Sequence, residues 1–189
     1  MAQTLRERLS ELPMFPTVLP NLDADQAPAD PEPLFMEWLG DAIDSGVRQP
    51  HAMTFVTMAE DGSPVARMLT LKDIDVDGFH FSTFRSSRKG QDLADRPLAT
   101  MLFFWRESGR QVRVTGRVKP LSGEASAEDW QEQPTSAQAD GTDWQLYTLD
   151  PETVEFMQAR PDRTHTRLEY ARSGLAWHVR EVRTPGSQG

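Results

Sequence analysis

A mainly β chain with peripheral helices is what this sequence predicts, and three observations predict it. From residue 52 onward, short runs rich in Val, Thr, Phe and Met are separated by Asp-Gly and proline-containing turns. No such run is followed by the long crossover helix that parallel pairing requires. Helical spacing is confined to short stretches outside those runs. Antiparallel strands joined by tight turns, with few helices, close most simply as a small β-barrel.

The elements follow in order. Residues 1–33 include "LPMFPTVLPNLDADQAPADPEP", proline-rich and without periodicity, and are expected to form an extended N-terminal arm ahead of a single domain at 34–189. Leu34, Phe35, Trp38, Leu39, Ala42 and Ile43 recur at three-and-four spacing, a helix with Asp30 as its N-cap and Gly46 as its stop. Strands are expected at 52–58, 65–72 and 79–84, joined by the turns "AEDGSP" and "DIDVDG". A short helix from Lys89 to Asp95 ends at "RP", a buried strand covers 98–105, and 110–120 alternates Val112, Val114 and Val118 against polar residues. A second short helix spans about 122–131, "QPTSAQADGTD" reads as a loop, and strands return in "WQLYTLD", "VEFMQ", 163–170 and 175–182, the last two joined hairpin-fashion by "ARSG".

Composition narrows the function. At 189 residues and 38% hydrophobic, the chain can bury one core, removing roughly 70% of its unfolded surface from water. A net charge of −9 argues against a nucleic-acid partner or an anionic membrane, which demand a basic surface on the scale of the domain. There is no apolar run long enough to span a bilayer, and the opening "MAQTLRERLSELPMF" carries charge where a signal peptide is apolar, so a cytoplasmic location is expected. Zero cysteines remove disulfides, thiolate catalysis and Cys-ligated metals, and the four histidines lack a close metal-ligand spacing.

Against that acidic background, "FRSSRKGQDL" at 84–93 sets Arg85, Arg88 and Lys89 beside two serines at the junction of a strand and a helix. Hydroxyls, helix-start amides and cations converging on one spot suit a phosphate. A solvated turn with basic caps is the competing reading.

Four segments, "ARMLTLK" (66–72), "FSTFRSSRKGQDL" (81–93), "LFFWRESGRQVRVTGRV" (102–118) and "VEFMQARPDRTHTRLEY" (154–170), occur in the order and separation found in pyridoxamine 5′-phosphate oxidases, and the chain resembles that family from about residue 33 to 183. The resemblance implies an antiparallel, Greek-key-like, FMN-binding split β-barrel and a homodimer with FMN between its subunits. It also implies hydride transfer from a small amine, alcohol or reduced heteroaromatic substrate to FMN, and then to O2. Arg67, Met68, Leu69, Thr70, Leu71 and Lys72 look like the first FMN-contacting strand, Ser82 and Thr83 like the next contacts, and Arg88 and Lys89 like the phosphate clamp. Gln111 resembles the glutamine bonded to the flavin ring and Arg167 the arginine beside it, where a cation would favour anionic reduced flavin. Arg163 and His165 match a substrate-orienting Arg–His pair, and on an extended strand 163, 165 and 167 would share one face.

Departures from the family pattern bear on the substrate. Asp129, Gln133 and Ala137 stand where a Tyr, an Arg and a Ser hold a substrate phosphate, so vitamin B6 phosphates are poor candidates. Met157 replaces a tryptophan near the cofactor, and the segment "AQADGTDW" at 137–144 is shortened, which implies a more open pocket. The phenazine-biosynthesis flavin oxidases of the same family share "FST", "WRE" at 105–107 and a tryptophan near Trp130. Other readings on this fold are a flavin or deazaflavin reductase, and a non-catalytic flavin or haem binder using His51, His80 or His178.

Overall fold

The computed structural model describes residues 3–134 and 140–182. Their order is α1 (Leu5–Ser10), α2 (Pro31–Asp44), β1 (Ala52–Met58), β2 (Pro64–Thr70), β3 (Asp73–Asp75), β4 (Gly78–Phe84), α3 (Arg88–Asp95), β5 (Leu98–Trp105), β6 (Arg110–Pro120), α4 (Gly123–Gln131), β7 (Trp144–Gln158), β8 (Thr166–Ser173) and β9 (Ala176–Glu181). Among the described residues no helix is long and apolar enough to cross a membrane.

All strand pairs are antiparallel, in the order β2-β1-β5-β6-β7-β4-β3, with β8 on β7 and β9 on β8. The sheet is rolled. β2 lies at one end of that order and β3 at the other, yet only Leu71 and Lys72 join them, a span of roughly 10 Å. Their amides bond to the His51 and His80 carbonyls, both at 2.9 Å, bridging the two ends. Inside the roll Phe55 of β1 and Phe81 of β4 stand 4.5 Å apart although three strands separate them in the sheet. Helix α2 adds Leu34, Phe35, Trp38 and Ala42 to the core, with the Phe35 ring 5.0 Å from both Phe79 and Phe103. Burying each such side chain is worth about 1.5–3 kcal/mol.

β7 splits the structure. One edge pairs with β6 along its length, while the other pairs first with β4 (Trp144 to Leu149) and then with β8 (Thr153 to Gln158). At the changeover the β6–β7 register shifts between Thr115 and Gly116. A Cβ at Gly116 would lie 2.1 Å from the Asp150 carbonyl oxygen, so the close approach requires glycine.

Several expectations need correction. The arm is not extended throughout, because a Thr4–Glu7 capping box closes the α1 turn. "DIDVDG" is not only a turn, since Asp73–Asp75 pairs with β4. "WQLYTLD" and "VEFMQ" are one strand, the bulge absorbing Glu152, between Pro151 opposite Gly116 and Thr153 opposite Thr115. The 163–170 strand begins only at Thr166, because Arg163 takes φ 63° at the end of a turn. Asp30 is the α2 N-cap by position, although its side chain makes no capping bond.

Candidate functional site

The basic loop is built around the start of α3. The Ser87 hydroxyl caps the helix by accepting from the Gly90 amide (3.3 Å) and donates to the Phe84 carbonyl (2.7 Å). Gly90 makes this tightness possible, since a Cβ there would sit 2.4 Å from the Arg85 carbonyl oxygen. Arg88 and Lys89 thus occupy the first turn, where the helix dipole favours an anion. Ser82 and Thr83 lie just before the end of the adjacent strand β4, both buried, with the Thr83 hydroxyl 3.2 Å from that of Ser87.

Arg67 reaches the same region from β2. Its guanidinium donates to the Thr57 hydroxyl oxygen (2.7 Å) and the Phe55 carbonyl (3.3 Å) and lies 3.5 Å from Asp92, whose buried carboxylate accepts from the Thr57 hydroxyl at 2.6 Å. Burial and the neighbouring Arg67 charge push the Lys89 ammonium below the usual lysine range. Arg88 and Lys89 form no ion pair among the described residues. Asp92 pairs with Arg67, whose charge is felt by both Arg88 and Lys89, while Arg88 also lies within electrostatic reach of the exposed Asp61. Arg85 and Ser86 belong elsewhere: the Ser86 amide donates to the Asp143 carboxylate (3.1 Å), the Ser86 hydroxyl and Arg85 also engage Asp143, and Arg85 reaches the Thr142 carbonyl. These bonds hold the Asp143 carboxyl below the usual carboxylate range, its Ser86 hydroxyl partner being the chief cause.

Along the first predicted contact strand, Leu69 and Leu71 turn toward the core, while Met68 and Thr70 are exposed. Strand β2 ends at Thr70, two residues early, because Leu71 and Lys72 carry the chain across to β3. Lys72 is not free: its ammonium lies 3.3 Å from buried Asp129, which also accepts from the Trp144 indole N–H at 2.6 Å. Gln133 donates to the Asp129 carbonyl (3.1 Å), and Ala137 lies outside the described residues.

Gln111, Met157 and Arg167 are register partners across β6, β7 and β8 and share a face with Phe104 of β5. Arg167 pairs with Glu155 (3.2 Å), which also takes Arg113 (3.0 Å). Met157 is buried between its register partners.

Arg163 and His165 do not share a strand face with Arg167, because the 160–165 segment is a loop. They meet instead in a cavity of about 280 Å³ whose other wall is the arm, Met14 to Leu19. The Phe15 ring stands edge-on to His165 at 6.0 Å. His165 Nδ1 accepts from the Arg160 amide (3.1 Å), which assigns the neutral ring's proton to Nε2. Burial first, then Arg167 and Arg163, push the imidazole below the usual histidine range. Sequence reasoning missed Thr57, Asp92, Asp143 and Phe15; a lone acid on a short helix or loop carries no local signal of its distant partner. The three histidines considered as haem ligands lie on separate elements, His51 and His178 exposed and His80 buried 3.0 Å from Asp75.

Comparison with known proteins matches residues 39–172 to the pyridoxamine 5′-phosphate oxidase family. Pyridoxine/pyridoxamine 5′-phosphate oxidase of Burkholderia multivorans is 35% identical over 189 residues, covering 82% of this chain and 88% of that protein. The Pseudomonas fluorescens enzyme of the same name is 38% identical over 202 residues, covering 87% and 93%. Among solved structures, PhzG from Burkholderia lata, in complex with tetrahydrophenazine-1-carboxylic acid, superposes with a TM-score of 0.80 at 27% identity, covering 91% of this chain and all of that one. A pyridoxamine 5′-phosphate oxidase-related, FMN-binding protein from Nostoc punctiforme gives 0.68 at 18% identity, covering 82% and 98%, a likeness of fold. The rolled antiparallel sheet is the split barrel of these proteins, and with its four segments in register the chain belongs to the pyridoxamine 5′-phosphate oxidase family.

Proposed function

We propose that this protein is an FMN-dependent oxidoreductase, a homodimer holding flavin in clefts between its subunits, with residues 34–189 as the cofactor domain and 1–33 as its arm. The observation that carries the reading is the cation cluster at the start of α3: Arg67, Arg88 and Lys89 lie close enough to act on one another electrostatically, only Arg67 is paired with the buried Asp92, and Gly90 lets the helix start pack against the Arg85 carbonyl. These residues fit a phosphate monoester, with Arg88 and Lys89 free to make charge-assisted bonds. Ser82, Thr83 and the 67–72 segment would line the same subunit's side of the cleft.

Bound FMN would supply a two-electron acceptor that O2 can reoxidise. Gln111 and Arg167, on the sheet face opposite Arg67, would reach the flavin ring from the partner, Gln111 as a hydrogen-bonding amide and Arg167 as a cation favouring negative charge. Neutral His165 would present its Nε2–H to a substrate amine or hydroxyl, Arg163 would orient an anionic group, and the apolar arm would exclude water.

Similarity to PhzG along that protein's whole length favours a second reading within the same class, a reduced phenazine carboxylate as substrate. The absorbance spectrum of the purified protein distinguishes FMN from a deazaflavin. Anaerobic bleaching with pyridoxamine phosphate, pyridoxine phosphate and dihydrophenazine carboxylates then identifies the reductant. Protein that neither carries nor takes up FMN overturns the proposal.

A further inference from the structure

Three aromatic side chains gather beside Lys72. Trp144 lies 4.9 Å from Phe84 and 5.3 Å from Trp130, and Phe84 lies 5.9 Å from Trp130, all as ring centroids. They come from β4, α4 and β7, and none is fully buried, Phe84 being 36% exposed. The Gly141 backbone covers one side of Trp130, where a Cβ would approach the indole to 2.3 Å. At the edge of the cluster Trp144 donates to Asp129 (2.6 Å), and Asp129 neutralises Lys72 (3.3 Å).

A phosphate dianion needs uncompensated cations and donors. Here the one nearby ammonium already faces a buried carboxylate, Gln133 is neutral and bonded to the Asp129 carbonyl, and Asp129 itself would repel a second anion. What this end of the cleft offers is aromatic surface, which attracts flat π-systems through offset or edge-on contacts. We propose that Phe84, Trp130 and Trp144, with the Lys72–Asp129 pair at their edge, form a stacking subsite for the planar ring system of an unphosphorylated aromatic substrate. The assignment rests on the family reading above only for the substrate end, which it places at Asp129, the position matched to a substrate-phosphate ligand.

Isothermal titration of the holoprotein with two probes tests it: phenazine-1-carboxylic acid as a planar tricycle and pyridoxamine 5′-phosphate as a phosphorylated monocycle. The tricycle should bind at least tenfold more tightly. Phe84→Ala, which removes a partly exposed ring, and Trp144→Phe, which keeps a ring and removes the indole N–H, should each weaken it about three- to tenfold with flavin content unchanged. Asp129→Asn keeps an acceptor for Trp144 and frees Lys72, so it should strengthen pyridoxamine phosphate binding about tenfold. Tighter wild-type binding of the phosphorylated probe, or unaltered tricycle binding in both aromatic variants, overturns the subsite. Flavin uptake, followed separately by absorbance, reports on the cofactor reading: a chain without FMN sinks that reading alone, and the same titrations on it still decide the subsite.

Discussion

Arg67 and Gln111 stand on opposite faces of one sheet. Arg67 is in register with Phe55, then Met101, then Val114, all core-facing, whereas Gln111 lies three residues from Val114 on the same strand and so points the other way. A single flavin cannot touch both within one chain. Flavin content and dimer content should therefore fall together on dilution, followed by light scattering with flavin absorbance. Coexpressing an Arg88→Ala/Lys89→Ala chain with an Arg167→Ala chain should give mixed dimers with one intact cleft in two. A stoichiometric holo-monomer rules this arrangement out.

The phosphate clamp makes a sharper prediction. Arg88→Ala with Lys89→Ala should weaken FMN binding by about 2–4 kcal/mol, the worth of charge-assisted bonds to one phosphate, while riboflavin binding changes little. Equal losses for the two flavins, measured by fluorescence titration, would remove the clamp assignment.

Behind the clamp, Asp92 holds Thr57 and Arg67. Asp92→Ala leaves a partly buried guanidinium without its carboxylate and should cost about 3 kcal/mol in urea unfolding; Thr57→Val, losing one buried hydrogen bond, should cost about 1–3 kcal/mol. Losses below 0.5 kcal/mol for both would mean that the triad does not support the site.

Gln133 sits one helical turn beyond Asp129 and bonds to its carbonyl. Pyridoxamine phosphate should be a poor substrate for the wild-type protein, and Gln133→Arg should improve its turnover by restoring a cation. Asp129→Tyr alongside should add to the gain if the Trp144 bond is dispensable. Wild-type turnover at the level of the curated relatives contradicts this.

His165 gives the pH dependence. Its folded pKa is depressed, so between that value and about 6.5 the unfolded chain binds more protons, and the contribution of this group to stability rises with pH across that window and is lost below it. Protonation also places a proton on Nδ1 against the Arg160 N–H, breaking that bond. The acid limb of flavin reduction should accordingly lie below pH 6.5 and vanish in His165→Ala. Arg163→Ala with His165→Ala should abolish reduction by any working substrate while FMN stays bound, as stopped-flow half-reactions would show; normal reduction in that variant removes the pair from catalysis.

What the sequence determined by itself is local. Turn signals around a β-branched and aromatic run placed 52–58 as a strand, an apolar run placed 98–105, period-two alternation placed 110–120, three-and-four spacing placed the helix that buries Phe35 and Trp38, and the four segments in register identified the family and the basic loop. The tertiary structure decided which charges remain available. Asp92 meets Thr57 from 35 residues away and Asp143 meets Ser86 from 57 away, because rolling the sheet brings its two ends together and lays α3 and the residues before β7 against them. The same roll gives Lys72 to Asp129, and the register across β2, β1, β5 and β6 puts Gln111 on the face away from Arg67. Arg163 and His165 read as alternate positions on a strand, but a left-handed residue at 163 ends that pattern, and the arm, whose sequence has no periodicity, supplies the wall of their cavity. Local spacing records which way a side chain leaves its own backbone; the partner it meets depends on strand order and closure, which no window of neighbouring residues contains.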